Sequence, residues 1–393
     1  MAVTINTNPS GTPSVHDALW HVATSDNSGT TDFKYVFDIV INGDRKLRVK
    51  QFPEPSNGKG YFDAGPTVRN YMTYEWFEPI NSSAYVAEPG FSGEAAIIYA
   101  LQVGEEVSGL TTTNMASGQV TGYCWAPPLL KRRIVSLSDK LNKWLTNRRL
   151  TMEIGECTAD QAQNSSENLF IGFYTDAVSV NLKVETYLFS NVMDNSVSGS
   201  VHVPSSGFLQ MNIGQTALYN ELNITIDERI RFYDVWFNSY EKVRVYTKCN
   251  PKYQCYPVHF LNRWGMWDTV RFDLASRLSM DVDRKGFSQK DYRFNGNSVD
   301  YISTANRYYE GRIDHSNKSR WNFKLTADAM SDQDFEWIAE LYTSPQRLLE
   351  IDGYFYPVTV KQSNYDYKKF VNDRLKPLEV EFELNTERYT QLR

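Results

Sequence analysis

The sequence predicts an all-β protein of three consecutive β-sandwich or jelly-roll-like domains, with one short helix near the C-terminus. Three observations lead there. Apolar and polar residues alternate in short runs separated by Gly, Asn, Asp or Ser, the period-two pattern of half-buried strands. Asn-Gly and Asp-Gly pairs stand between such runs, where both residues tolerate the positive φ of a tight hairpin turn. Tyr, Phe and Trp make up 14% of the 393 residues, which favours strands and contact surfaces over helical bundles.

The first domain, residues 1–128, opens on two alternating runs around Asn42-Gly43, and Tyr35, Phe37, Ile39 and Ile41 fall on one strand face. AAIIYALQV and GQVTGYCWAP read as further strands, and Pro127-Pro128 interrupts the ladder. The central domain, residues 129–249, begins with SLSDKLNKWL, where Leu141, Trp144 and Leu145 have the spacing of a short helix or turn face. LTMEIGE, NLFIGFYTD, AVSVNLKVETYLF, GSVHVPSSGFLQMNI, NELNITID and ERIRFYDVWFNSYEKVRVYTK follow as short strands, the pattern of a sandwich.

The third domain, residues 250–393, opens with a hairpin turning at Arg263-Trp264-Gly265. Its helix spans 332–343: Ser331 caps it, Asp334 completes a capping box, and Phe335, Ile338, Leu341 and Tyr342 line one face before Pro345. A hairpin over Asp352-Gly353 follows. In the last strand Leu378, Val380, Phe382 and Leu384 alternate with Glu379, Glu381 and Glu383, giving one buried face and one carboxylate face.

Composition narrows the function classes. A net charge of −6 is too mild to indicate nucleic-acid binding, and no apolar stretch reaches the ~18 residues of a membrane span. The opening MAVTINTNPSGTP lacks the basic and apolar regions of a secretory signal, so synthesis in a cytoplasm without export is expected. Cys124, Cys157, Cys249 and Cys255 match neither a zinc site nor a CxxC redox site; a Cys249–Cys255 bridge requires an oxidising compartment.

Catalytic patterns are missing from the sequence. His16, His21, His202, His259 and His315 are dispersed, and neither a nucleophile elbow nor a phosphate loop is present. The Glu379, Glu381 and Glu383 row could serve acid–base chemistry, but a solvated or intersubunit face with Lys361, Lys368 and Lys369 explains it more simply. The sequence therefore disfavours an enzyme and points to no cofactor or metal.

Local charge is more informative. Between residues 70 and 130, Glu75, Glu78, Glu88, Glu94, Glu105 and Glu106 meet no Lys or Arg. Residues 131–149 reverse the sign with Lys131, Arg132, Arg133, Lys140, Lys143, Arg148 and Arg149 against Asp139. These blocks can neutralise each other within one molecule. They can also join copies head to tail, which makes Lys131, Arg132, Arg133, Arg148, Arg149, Glu75, Glu78, Glu105 and Glu106 the candidate intersubunit residues. Aromatic clusters such as Tyr71, Tyr74, Trp76 and Phe77 suit either cores and interfaces or stacking on sugar rings.

The opening FKYVFDIVINGDRKLRVKQFPEPSNGKGYFDAGPTVRNYM, the KWLTNRR turn, the FLNRWGMWDTVRFDL hairpin and the segment from SDQDFEWIAELYTSPQRLLEIDGYFYPVTV to LEVEFEL together resemble virion proteins of tailed bacteriophages, particularly crAss-like and other phages of Bacteroidetes. The resemblance implies a structural role in the virion, in a tail, neck or baseplate ring, with other copies of the chain and neighbouring virion proteins as partners. The alternative it leaves open is a receptor- or glycan-binding fibre or decoration protein of the same particle.

Overall fold

The computed structural model describes residues 3–9, 13–72, 96–111, 115–123, 137–146, 151–155, 168–203, 207–238, 241–248, 252–288, 290, 292–301, 312–329, 332–362 and 377–390. The protein is all-β, with several antiparallel sheets and three short helices among the described residues. No helix among these residues is long and apolar enough to cross a membrane.

The chain divides into two compact units. The first comprises residues 1–251, 259–270 and 333–345, and the second 252–258, 271–332 and 346–393. Residues 259–270 and 333–345, which the sequence places in a C-terminal domain, belong to the first unit.

Unit 1 holds two separate apolar cores. The first lies on a sheet ordered Asp44–Gln51, Lys34–Ile41, Ala96–Val107, Leu110–Thr111, with Ala116–Tyr123 also paired to Ala96–Val107. Asn42 and Gly43 have φ of 53° and 83°, so the chain reverses where the sequence places a type I′ turn. Tyr35, Phe37, Ile39 and Ile41 are then all buried, and Phe37 stacks on Phe62 with centroids 5.1 Å apart. Phe62 comes from a three-stranded sheet of Val3–Thr7, Trp20–Ser25 and Gly60–Asp63, and helix α1, Gly65–Arg69, follows it.

The second core sits on a sheet ordered Thr151–Gly155, Lys242–Lys248, Ile230–Phe237, Ser179–Leu188, Met193–His202. Its first two strands run parallel and the others antiparallel. A three-stranded sheet of Phe208–Asn212, Phe170–Tyr174 and Lys143–Trp144 completes a sandwich-like arrangement, with Trp144 edge-on to Phe173. The SLSDKLNKWL face resolves into a 3₁₀ turn, Leu137–Lys140, and a short strand in which Trp144 and the following Leu145 are buried while Leu141 stays exposed. NELNITID is not a strand: helix α2, Gln215–Leu222, covers its start, buries Leu218 and Leu222 one turn apart, and closes on Asn223 at φ 51°. An Asn tolerates that left-handed cap, so the local signal stops a helix there.

The hairpin of Tyr256–Leu261 and Trp267–Phe272 supplies residues 259–270 to unit 1. Helix α3, Asp332–Thr343, has the predicted bounds and contributes from residue 333 onward; Ser331 lies outside the described residues. Trp337, Ile338 and Leu341 are buried, and Trp337 meets the Phe260 ring at 5.5 Å.

Unit 2 is built on strands ordered Arg347–Ile351, Tyr354–Val360, Pro377–Leu384, Arg312–Ala329, Arg277–Ser288, with Arg388–Thr390 also against Arg312–Ala329. Asp352 and Gly353, at φ 51° and 77°, form the expected hairpin turn. Leu325, Val380 and Phe382 are fully buried in this sheet.

Candidate functional site

Most of the candidate intersubunit residues, namely Lys131, Arg132, Arg133, Arg148, Arg149, Glu75 and Glu78, lie outside the described residues. The two that are described are engaged within the chain. Glu105 accepts hydrogen bonds from Ser25 Oγ at 2.8 Å and Asn27 Nδ2 at 2.9 Å. Glu106 accepts from Lys50 Nζ at 2.5 Å and Thr111 Oγ1 at 3.0 Å, and these donors hold its pKa below the ordinary value. Both side chains are nearly buried. Within the basic block, Lys140 sits over the Trp264 ring at 5.6 Å, and burial lowers its pKa.

The carboxylate row of the last strand is covered by cations of its own unit. Lys361 Nζ lies 3.5 Å from Glu381 and 3.8 Å from Glu383, Arg320 meets Glu383 at 2.8 Å, and Lys324 meets Glu379 at 2.5 Å. Lys361 thus fills the role the sequence assigns it, whereas Lys368 and Lys369 fall outside the described residues. Arg320 and Lys318 also hold the neighbouring Glu387, whose pKa they pull down to about 2. A carboxylate so strongly ionised and paired is a poor proton donor.

Buried polar groups that sequence reasoning does not single out converge on the 256–272 hairpin. Asp268 Oδ2 accepts from Thr146 Oγ1 at 2.8 Å and Trp337 Nε1 at 2.7 Å. Burial pushes this carboxyl up to about 7, against the lowering effect of the donors. Asn262 donates to the Leu145 carbonyl at 2.7 Å, while its Oδ1 accepts from the Trp264 and Met266 amides. His259 Nδ1 lies 2.9 Å from Thr269 Oγ1 in the interior. These groups are spent on fixing the backbone, and the constellation is sealed from solvent.

His21 is likewise a core residue, between Asn8 Oδ1 at 2.9 Å and Tyr99 Oη at 3.0 Å. Burial lowers its pKa to about 4, so it remains neutral at physiological pH. Cys255 Sγ accepts a hydrogen bond from Arg271 Nε at 2.8 Å, and Cys249 lies outside the described residues. Among the described residues no group of three or more His, Cys, Asp or Glu is placed to hold a metal ion.

A shallow cleft on the first sheet is lined by Asp38, Arg45, Arg48, Gln102 and Thr111. Arg48 grips the buried Asp38 with Nε at 2.7 Å and Nη2 at 2.5 Å, a bidentate pair that consumes the charge of both.

What unit 2 leaves open is a strand. All twelve residues of Arg277–Ser288 are exposed, and among the described residues the strand ends its sheet. Leu278 pairs with Phe323 and Met280 with Trp321, so Leu278, Met280 and Val282 continue outward the face on which Phe323 and Phe382 are buried. In unit 1, Met193–His202 also ends its sheet, with residues 193–196 exposed beside Phe189 and Val192. A long strand edge presents its backbone donors and acceptors outward. Sequence reasoning places no strand over 277–288; the alternation of Leu278, Met280 and Val282 with Ser279, Asp281 and Asp283 is the signal that could have found it, and alternation does not reveal whether a covering surface belongs to the same chain.

The chain matches no family model, and no curated protein matches it.

Proposed function

We propose that the chain is a non-enzymatic structural protein of a tailed-phage particle, present in multiple copies in a tail, neck or baseplate ring. The observation that carries this reading is the exposed strand Arg277–Ser288, with its apolar row on an open sheet edge. Repeating assemblies join copies through such surfaces. The resemblance of the sequence to phage virion proteins supplies the particle. On this reading the opposed charge blocks help join adjacent copies, through Lys131, Arg132, Arg133, Arg148 and Arg149 on one side and Glu75 and Glu78 on the other.

Light scattering on the purified chain tests the assembly. Ordered oligomers are expected, and reversing Arg132, Arg133, Arg148 and Arg149 together is expected to dissolve them or increase their salt sensitivity. Unchanged assembly by that variant removes the charge-block role, and a chain that stays monomeric up to millimolar concentration overturns the ring. Locating the chain and its copy number in an electron-microscopy map of the particle tests the placement.

A second reading, glycan binding by the same virion protein, draws on one feature. Trp20 and Tyr61 stand exposed on the outer face of the Trp20–Ser25 and Gly60–Asp63 strands, where Trp20 pairs with Asp63 and Val22 with Tyr61. Two neighbouring aromatic faces suit a sugar ring. Glycan-array binding that Trp20→Ala abolishes is the result this reading expects.

A further inference from the structure

The geometry points to β-sheet extension between copies: the edge strand Arg277–Ser288 of one chain pairs antiparallel with the edge strand Met193–His202 of a second copy. This inference rests on the multi-copy reading above and assigns it an interface.

Both strands end their sheets among the described residues, and they are comparable in length, at twelve and ten residues. In a strand on a sheet edge, alternate N–H and C=O groups point away from the sheet, so two edges satisfy each other. Side-chain register then selects the partner. With Leu278 opposite Val201, Met280 falls opposite Gly199 and Val282 opposite Val197. Val201 is buried and Val197 packs against the second core of unit 1, so this register keeps apolar residues on one continuous face. Gly199 leaves room for the longer Met280 side chain.

Charge agrees with the same register. It brings Lys285 beside Asp194, the extra residue of the bulge in Met193–His202, and both are exposed. Met193–His202 contains no Lys or Pro, the residues that ordinarily guard an edge. Asp281 is held by Lys361 at 2.9 Å, so charge does not decide against pairing of Arg277–Ser288 with its own copy; a two-fold centred on Val282 instead sets Met280 opposite Arg284 and Leu278 opposite Gly286, which breaks the apolar row. Because the two edges differ, their union is heterologous, and its repetition builds a ring or a filament.

The test mixes two full-length variants, one carrying Val282→Cys and the other Val197→Cys, under mild oxidation. A disulfide linking the two variants is expected, and the parent chain with its native cysteines and each variant alone should give at least tenfold less dimer. Cys at Leu110, an exposed position on the other five-stranded sheet of unit 1, replaces Val197→Cys as the control. Lys285→Glu should raise the concentration at half-assembly about tenfold, and Lys285→Glu with Asp194→Lys should restore it, since like charges set together cost more than tenfold in affinity. Assembly without the specific cross-link overturns this interface and leaves the multi-copy reading standing. Failure to assemble at all overturns both. A cross-link as strong with the control position as with Val197→Cys also overturns the pairing.

Discussion

Residues 259–270 and 277–288 lie only a few positions apart, yet they use their side chains in opposite ways. In the first segment every residue except Arg263 is buried, including Asn262, Asp268 and Thr269; in the second every residue is exposed, including Leu278, Met280 and Val282. Composition does not separate them, for each mixes apolar and polar groups. The difference lies in what completes them. The first is finished inside its own unit by Thr146, Leu145 and Trp337, whereas the second has an apolar row and a backbone edge with no strand alongside among the described residues. One segment specifies the fold, and the other, on the proposed reading, serves association.

The strongest way to break this contrast is to remove the fold-specifying side. Trp337→Ala deletes a buried indole and a donor to Asp268, and should cost about 3–5 kcal/mol in urea unfolding. A loss under about 1 kcal/mol would show that the 259–270 segment does not depend on helix α3. Next comes Gly172→Ala. A Cβ at Gly172 would stand 2.4 Å from Met266 Cγ, so overpacking should cost about 1–3 kcal/mol, read from the same urea curves.

Asp268 sharpens the comparison through pH. Its folded pKa of about 7 stands above the ordinary 3.8, so the folded chain holds this proton more tightly than the unfolded chain. The site's contribution is complete below about pH 4 and declines as pH rises toward 7. Asp268→Asn should remove that decline, so the difference between parent and variant midpoints should change across pH 4–7. A constant difference would refute the assignment. The smallest effect belongs to the exposed strand: Met280→Ser should shift stability by no more than about 0.5 kcal/mol while weakening assembly. Loss of several kcal/mol would mean that Met280 is part of a core.

Much of the local fold was legible in the sequence. Asn42-Gly43 and Asp352-Gly353 announce their turns because a positive φ at two successive residues is a local requirement. The alternation of Leu378, Val380 and Phe382 with glutamates, and the bounds of helix 332–343, are equally local. Helix α2 was missed because Asn223 and the apolar residues beyond it read as strand. The parallel pairing of Thr151–Gly155 with Lys242–Lys248, and the placement of 259–270 and 333–345 in unit 1, depend on contacts between distant residues that no short window contains. The exposed strand Arg277–Ser288 was not read from the sequence, and its exposure is a tertiary property.

The interleaved course of the chain imposes an order on its synthesis. Unit 1 draws on residues up to Pro345, so the nascent chain cannot finish it when residue 251 leaves the ribosome. Asp268 and Arg263 emerge before Trp337 and Glu340, their partners. At about 5–20 residues per second, the stretch from Val270 to Pro345 leaves a polar cluster exposed for about 4–15 s. For most of that interval, once residue 288 has followed, the Arg277–Ser288 strand is outside, and a ribosome-bound chain would present a sticky edge before the interior of unit 1 has closed.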